Sequence, residues 1–383
     1  MVDAQDNRRR VGPRYLLAPR VEKWFMTAAR DLPWRRTRTP YGTLVSEAML
    51  QQTQVARVCE AWRGFLAHFP TIFSLAAASD DKVLKAWQGL GYYRRARHLH
   101  AAARVIVASH GGEIPDNRAQ LEELPGIGPY CAGAIASIAF GQREAIVDGN
   151  VARVMMRIHG KNVDALSHGG KAWLWNRARE YVRDARDCAL ANEGLMELGA
   201  TICTVLSPKC ERCPVENLCA ARAAGTQDRI PRPRRRASRT VLHAQVILAT
   251  VGGRSALVRR AHSGLWADMM FPPMIETARV ISAAVIAKRL AVPLTALIAR
   301  GRFEFLTTHR TVRFGVWRLD DVAAKGLKRR GIEGFPAAFG AQVTWHRAHE
   351  VKKLSVTSAM AKILACDTPH GKGSGKRVVL VKR

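Results

Sequence analysis

At 383 residues and 48% hydrophobic content, the chain has enough apolar material for two or three buried cores and is too apolar to be disordered throughout. It carries 61 Lys and Arg against 31 Asp and Glu, a net charge of +30, and it has no run of 18 apolar residues that would span a membrane. Residues 221–383 alone contribute 22 of the net positive charges, which points to a polyanionic partner, most simply nucleic acid; an arginine-rich proteome would leave the same excess.

The N-terminal MVDAQDNRRR has no apolar stretch of the kind that directs secretion. A cytoplasmic, reducing compartment is expected, in which the eight cysteines are thiols or metal ligands, not disulfides. Residues 15–220 read as an all-α domain, helix after helix. Between Val45 and Phe69, for example, Val45, Met49, Leu50, Val55, Val58, Trp62 and Phe65 fall on roughly one face. Turn signals stand at residues 32–34, 69–71, 110–117 and 124–128. Residues 221–239 are Arg-rich and broken by prolines, the composition of a basic linker. Residues 240–369 read as a smaller α+β domain. A hairpin is expected around Gly252-Gly253, with strands at 310–319 and 342–351 and helices at 278–290 and 354–366. Residues 370–383 form a basic tail.

Four elements carry chemistry. Cys203, Cys210, Cys213 and Cys219 lie within 17 residues, a spacing suited to wrapping one compact centre. It is not the paired C-x2-C pattern of most zinc ribbons and favours a [4Fe–4S] cluster, with a four-cysteine zinc site as the alternative. The remaining cysteines, Cys59, Cys131, Cys188 and Cys366, read as small buried hydrophobes. In LPGIGPYCAG (124–133), Gly126 and Gly128 allow a tight turn and Pro129 opens a helix. The N–H groups of that helix start can grip a phosphate, although an ordinary corner between helices has the same signature. Asp148 precedes an apolar-periodic run and reads as an N-cap whose carboxylate the helix keeps ionised. Glu47 lies on a largely apolar helix face, either as a paired structural acid or as a carboxyl with a raised pKa.

Taken in order, these elements resemble the MutY-type adenine DNA glycosylases of the helix-hairpin-helix superfamily, which are related to endonuclease III. The resemblance is carried by LPWR (32–35), SEAMLQQTQV (46–55), GLGYYRRARHLH (89–100), LPGIGPYCAGAI (124–135), VDGNVARV (147–154) and LMELGATIC (195–203). A weaker likeness to the family's Nudix-like C-terminal domain comes from residues 257–273 and 305–314. The resemblance implies base excision repair on duplex DNA by a monomer that removes adenine paired with 8-oxoguanine or guanine. It assigns Glu47 as the acid that protonates the base and Asp148 as the carboxylate that stabilises an oxocarbenium-like sugar, with Asn150 beside it. Tyr130 stands where lyase relatives have a lysine. A tyrosine cannot form an imine, so monofunctional excision without strand cleavage is expected. Trp34, Arg35, Leu50 and Glu193 match positions around the extruded adenine. Gln51, Gln52 and Tyr92 match residues at or wedged into the duplex, and Gly126 and Gly128 match the phosphate-binding hairpin.

Two departures stand out. Nothing after Pro273 supplies the glutamates of a diphosphate hydrolase, so that activity is not expected. The lesion-reading loop, typically Phe-Ser/Thr-His, is here Thr307-Thr308-His309; Thr308 and His309 retain hydrogen-bonding groups, and the aromatic residue is missing. Two other readings remain open: a thymine or uracil mismatch glycosylase of the same superfamily, and a non-catalytic iron–sulfur DNA-binding regulator.

Overall fold

Leu17–Ala28 (α1) buries Leu17, Ala18, Val21 and Phe25. After the short Pro33–Arg36 (α2), Thr39 caps Pro40–Leu50 (α3) by accepting from the Gly42 N–H, with Pro40 in the first turn. The computed structural model describes residues 16–232, 238–261, 263–329, 343–351, 354 and 357–367. They divide into two compact units, one made of residues 16–86 and 95–232, the other of 87–94 and the described residues from 238 onward.

The first unit is helical throughout. The apolar periodicity from Val45 to Phe69 belongs to two helices, not one, because α3 ends at Leu50 and Val55–His68 (α4) begins after a break. The break has a tertiary cause. Arg95 donates to the carbonyl oxygens of Ala48 and Met49 at 3.0 and 2.6 Å and to the Thr53 hydroxyl at 2.9 Å, so the last carbonyls of α3 are satisfied from Arg94–His110 (α7). Ile72–Ala76 (α5), Asp80–Ala86 (α6) and Arg118–Glu123 (α8) complete the run before the hairpin.

Pro129–Phe140 (α9), Gly149–Ile158 (α10), His168–Arg183 (α11) and Cys188–Thr201 (α12) follow. One core gathers residues from α1, α9, α10, α11 and α12 around Val21, Val151, Met155, Leu195 and Leu198. The stretch read as a linker is partly built into this unit. The short helix Ala220–Ala223 (α13) enters it, and Ala221 and Ile230 are buried in the same core.

The second unit is α+β. Thr240–Leu248 (β1) runs parallel to Arg310–Leu319 (β7) and antiparallel to Met274–Thr277 (β5). Leu297–Leu306 (β6) pairs antiparallel with β7, giving the sheet order β5-β1-β7-β6. A second sheet is built on Arg254–Arg259 (β3), which pairs antiparallel with Thr250–Val251 (β2), Met270–Phe271 (β4) and Val343–Arg347 (β8). The Gly252-Gly253 hairpin therefore joins β2 to β3, whereas the long β1 belongs to the other sheet. Ala283–Leu290 (α14) and Ser358–Ala365 (α17) match the expected helices, whereas β6 and Asp321–Arg329 (α15) have no clear signal in the sequence. The stretch 342–351 is a strand only to Arg347, and Ala348–Val351 (α16) is a turn of helix. The tail, 370–383, lies outside the described residues.

Candidate active site

Four helices of the first unit bring the candidate residues together: α3 supplies Glu47, α9 Tyr130, the start of α10 Asp148, and α12 Glu193. Glu47 is 5% exposed on the largely apolar α3, and its Oε2 atom has no hydrogen-bond partner among the described residues. Burial pushes its carboxyl up to about 7, and the negative charges of Asp148 and Glu193 add to the effect; a hydrogen bond with Tyr130 opposes it. A carboxyl in that state is an acid matched to neutral pH.

Asp148 is the N-cap of α10. Its Oδ1 accepts from the Val151 N–H at 2.7 Å, and its Oδ2 accepts from the Asn150 amide at 3.1 Å. The sequence alone predicts an ionised cap. Here burial is the largest influence and raises its pKa, while the Val151 and Asn150 donors and the Arg153 charge pull it back. Asn150 is itself held, since Arg153 donates to its Oδ1 at 2.9 Å and to the Gly199 and Cys203 carbonyl oxygens at 2.7 and 2.8 Å. Gly199 lets α12 approach this closely, because a Cβ there would stand 2.6 Å from the Asn150 Cβ.

Tyr130 is half-buried, and its hydroxyl donates to the Met196 Sδ at 3.1 Å. Burial, with the carboxylates of Glu47 and Asp148, raises its pKa well above that of a free tyrosine, so the phenol keeps its proton.

Glu193 sits in an ion-pair chain that the sequence does not reveal. Arg35 Nε meets its Oε1 at 3.0 Å and Arg38 reaches its Oε2 at 2.6 Å; Arg35 also contacts Glu197 at 3.0 Å, and Arg30 grips Glu197 through two nitrogens at 2.6 and 2.9 Å. Burial works to raise Glu197, but the two guanidinium groups outweigh it and hold it low, whereas for Glu193 burial prevails and the pKa is raised. Trp34 is buried edge-on against Trp62, 6.3 Å between ring centres, and Leu50 is half-buried at the end of α3.

The hairpin before α9 has the expected geometry with one difference. Gly126 is left-handed at φ +78°, and a Cβ there would stand 2.4 Å from His98. Gly128 is extended at φ −101° and is the N-cap of α9; no atom lies within 4 Å of where its Cβ would be, so its use is open approach and not a special backbone angle.

Gln52 and Tyr92, both matched to wedge positions, are both non-glycine residues in the left-handed region, at φ 58° and 45°. Such conformations cost about 1–3 kcal/mol each and concentrate at functional sites. Gln51 points inward, its amide nitrogen 3.1 Å from the Cys131 Sγ. In the second unit Thr308 and His309 are exposed on the β6–β7 turn, and the Tyr92 and Thr308 hydroxyls are hydrogen-bonded.

The four cysteines lie beyond α12, half-buried and unpaired. Burial, with the charge that neighbouring thiols would carry, raises Cys210, Cys213 and Cys219, with Cys213 pushed up to about 12. Among the described residues no group of three or more side chains already has a metal-holding arrangement. The loop backbone is pinned by Arg157, which donates to the carbonyl oxygens of Thr204, Val205 and Ile230 and approaches the Cys203 Sγ at 3.3 Å. Four soft donors on a pinned loop suit a thiolate-ligated centre. Of the other cysteines, Cys131 and Cys188 are buried as expected, while Cys59 and Cys366 are only half-buried.

Residues 45–168 match the model of the HhH-GPD superfamily of base excision DNA repair proteins. The chain is 40% identical over 247 residues to the adenine DNA glycosylase of Mycobacterium tuberculosis, covering 61% of this chain and 77% of that one. It belongs to the adenine DNA glycosylase family. It is also 46% identical over 216 residues to the human adenine DNA glycosylase, covering 54% of this chain but only 39% of the human protein; it thus spans about 40% of the length of the mammalian members it matches. A solved thermostable thymine-DNA glycosylase superposes with a TM-score of 0.51 at 32% identity, covering all of that chain and 58% of this one.

Proposed function

We propose that this member of the adenine DNA glycosylase family excises adenine from duplex DNA, where the base is paired with 8-oxoguanine or guanine, and leaves the strand intact. The observation that carries the reading is Glu47, a buried carboxyl at about 7 whose Oε2 has no partner among the described residues, next to the anchored Asp148. An adenine turned out of the stack meets an acid able to protonate it, which weakens the glycosidic bond. As the bond lengthens, positive charge grows on the sugar, and the Asp148 carboxylate offsets it. The Arg153–Asn150 contacts hold that carboxylate in one orientation. Tyr130 offers a phenol that keeps its proton where a lyase needs an amine, so strand cleavage is not expected.

Thr308 and His309 read the opposite base, and the loop that carries Cys203, Cys210, Cys213 and Cys219 holds a [4Fe–4S] cluster. The cluster would supply a rigid covalent anchor for the loop, and no step of bond cleavage uses it. The protein acts as a monomer on DNA.

A thymine mismatch glycosylase is the second reading, favoured by the superposition on a thymine-DNA glycosylase. Single-turnover excision on A:8-oxoguanine, A:G and T:G duplexes separates the two, with alkali omitted in a parallel series. We expect A:8-oxoguanine to be processed fastest and no strand breaks without alkali. Preference for T:G would reverse the assignment.

A further inference from the structure

The turn that ends α3, Leu50 to Thr53, holds a residue that its backbone does not favour. The Thr53 N–H donates to the Leu50 carbonyl oxygen at 3.2 Å, Gln51 lies at φ −54° and ψ 109°, and Gln52 is left-handed at φ 58°. That is the sign pattern of a type II turn, whose third residue is normally glycine. A glutamine persists there only where its surroundings over-determine the conformation. Here the turn is held from two sides. Arg95 of α7 donates to the Ala48 and Met49 carbonyl oxygens and to the Thr53 hydroxyl, before and after the strained residue. From α9, the Cys131 Sγ accepts the Gln51 side-chain N–H at 3.1 Å. We propose that Cys131 is a positioning residue: by accepting from Gln51 it holds the first central residue of the turn inward, and so presents the exposed Gln52 to the duplex.

A buried cysteine is ordinarily a filler of apolar space. Packing alone does not account for this one. Gln51 and Cys131 both line a cavity of about 30 Å³, room for a water or two, so the amide is not fixed by close contact on every side. Burial pushes the thiol up to about 12, so the sulfur is a neutral and weak acceptor. A strained turn has little stability in reserve, and the loss of even a weak contact is measurable there. Cys131 also follows Tyr130 in the first turn of α9. One short stretch of helix thus brings the phenol to Glu47 and the sulfur to the turn four residues beyond it.

This inference rests on Gln52 meeting DNA, but its first test needs none. Hydrogen exchange of the Thr53 amide, followed in the free, full-length protein, reports how often the turn opens. Cys131→Ala should speed that exchange about fivefold, the worth of one modest hydrogen bond. Cys131→Ser is also smaller than cysteine but keeps an acceptor, and it should exchange at close to the wild-type rate. In a Gln51→Leu background the Ala and Ser variants should exchange alike. Three results would each overturn the proposal: equal rates for wild type and Cys131→Ala, equal rates for the Ala and Ser variants, or a difference between them that survives without the Gln51 amide.

The second test uses a duplex with 8-oxoguanine opposite a 2′-fluoro-adenosine, which resists excision because the fluorine opposes positive charge on the sugar. Cys131→Ala should bind it about twofold more weakly than wild type, in proportion to the turns released, and Cys131→Ser should not. If exchange behaves as expected and all three proteins bind this duplex alike, the reading of Gln52 as a duplex contact falls and the role of Cys131 in the turn stands.

Discussion

The two units place charge in opposite ways. In the helical unit the buried side chains include Glu22, Glu47, Arg153, Arg157, Glu193 and Glu197; in the described part of the second unit the buried polar side chains are the uncharged Gln245 and Thr357 together with His243. The second half of the sequence nonetheless holds most of the excess positive charge. Burying an ionisable side chain costs several kcal/mol unless it is paired or gives up its charge, so a fold that buries six has committed stability to holding those groups in fixed places. Surface charge costs little and acts at a distance, screened by salt. The helical unit is thus built for local chemistry at a defined point, and the second unit contributes a field suited to a polyanion.

The sharpest way to break this comparison is to neutralise the two acids without changing their shape. Glu47→Gln and Asp148→Asn should each lower single-turnover excision by about 10³-fold or more, while binding to the same duplex, read by anisotropy, stays close to wild type. In Asp148→Asn the amide oxygen can still accept from the Val151 N–H and cap α10, so loss of activity would not follow from loss of the helix. A Glu47→Gln enzyme with wild-type rates would show that the buried carboxyl has no chemical purpose.

The same substitution tests the cost of the site. The carboxyl is raised in the folded protein, so the native state holds its proton more tightly than the unfolded chain does. Its contribution to stability is fully present below about pH 4 and is lost as pH rises through about 7. Glu47→Gln should therefore match wild type in unfolding free energy at pH 4 and exceed it above pH 7, by about 3 kcal/mol at most. Wild-type excision should decline over the same window, as the acid loses its proton. A variant less stable than wild type at pH 8 would contradict the assignment of Glu47 as a costly, functional acid.

Arg157 represents the other use of buried charge. It is 2% exposed and holds three carbonyl oxygens of the segments that carry and follow the cysteine loop. Arg157→Ala leaves the Ile230 carbonyl unpaired in a buried place and removes the shared donor of the part-buried Thr204 and Val205 carbonyls. The expected loss is about 3 kcal/mol or more, a fall in Tm of roughly 10 °C read by calorimetry. A Tm within a degree of wild type would mean that the loop does not depend on this anchor.

Which of these features can be read from the sequence follows from their range. Asp148 as a cap, the Gly126 turn and the strand at 310–319 rest on neighbours within a few residues, and each has its signal in the chain. The break between α3 and α4 does not, because the group that ends α3 is Arg95, more than 40 residues away. The partners of Glu193 are likewise invisible: Arg35 lies 158 positions earlier, and nothing in LPWRRTR says which acid it will meet. β6 has no signal of its own because it is an edge strand whose exposed residues mix Arg300, Arg302 and Glu304 with Ile298 and Leu306, interrupted by Gly301, and its identity comes from pairing with β7. Position in the chain points to Glu47, but only the packing explains why its pKa is raised.

The smallest expected effect concerns the field of the second unit. Arg310 and Arg313 lie on β7, and His309 precedes them on the turn that carries Thr308. Arg310 is exposed, and Arg313 is partly engaged by Glu304 at 2.8 Å on a surface where such a pair is weak. If this face meets DNA through phosphates, Arg310→Gln should weaken binding to matched and mismatched duplexes alike and flatten the plot of log affinity against log salt by about one unit. Thr308→Ala and His309→Ala should leave that slope unchanged and narrow the preference for A:8-oxoguanine over A:G by about tenfold. The two classes of substitution therefore separate field from readout on one hairpin. Should Arg310→Gln alter discrimination but not the salt slope, the second unit would be reading bases through its charges, and the contrast between a chemical unit and an electrostatic one would have to be redrawn.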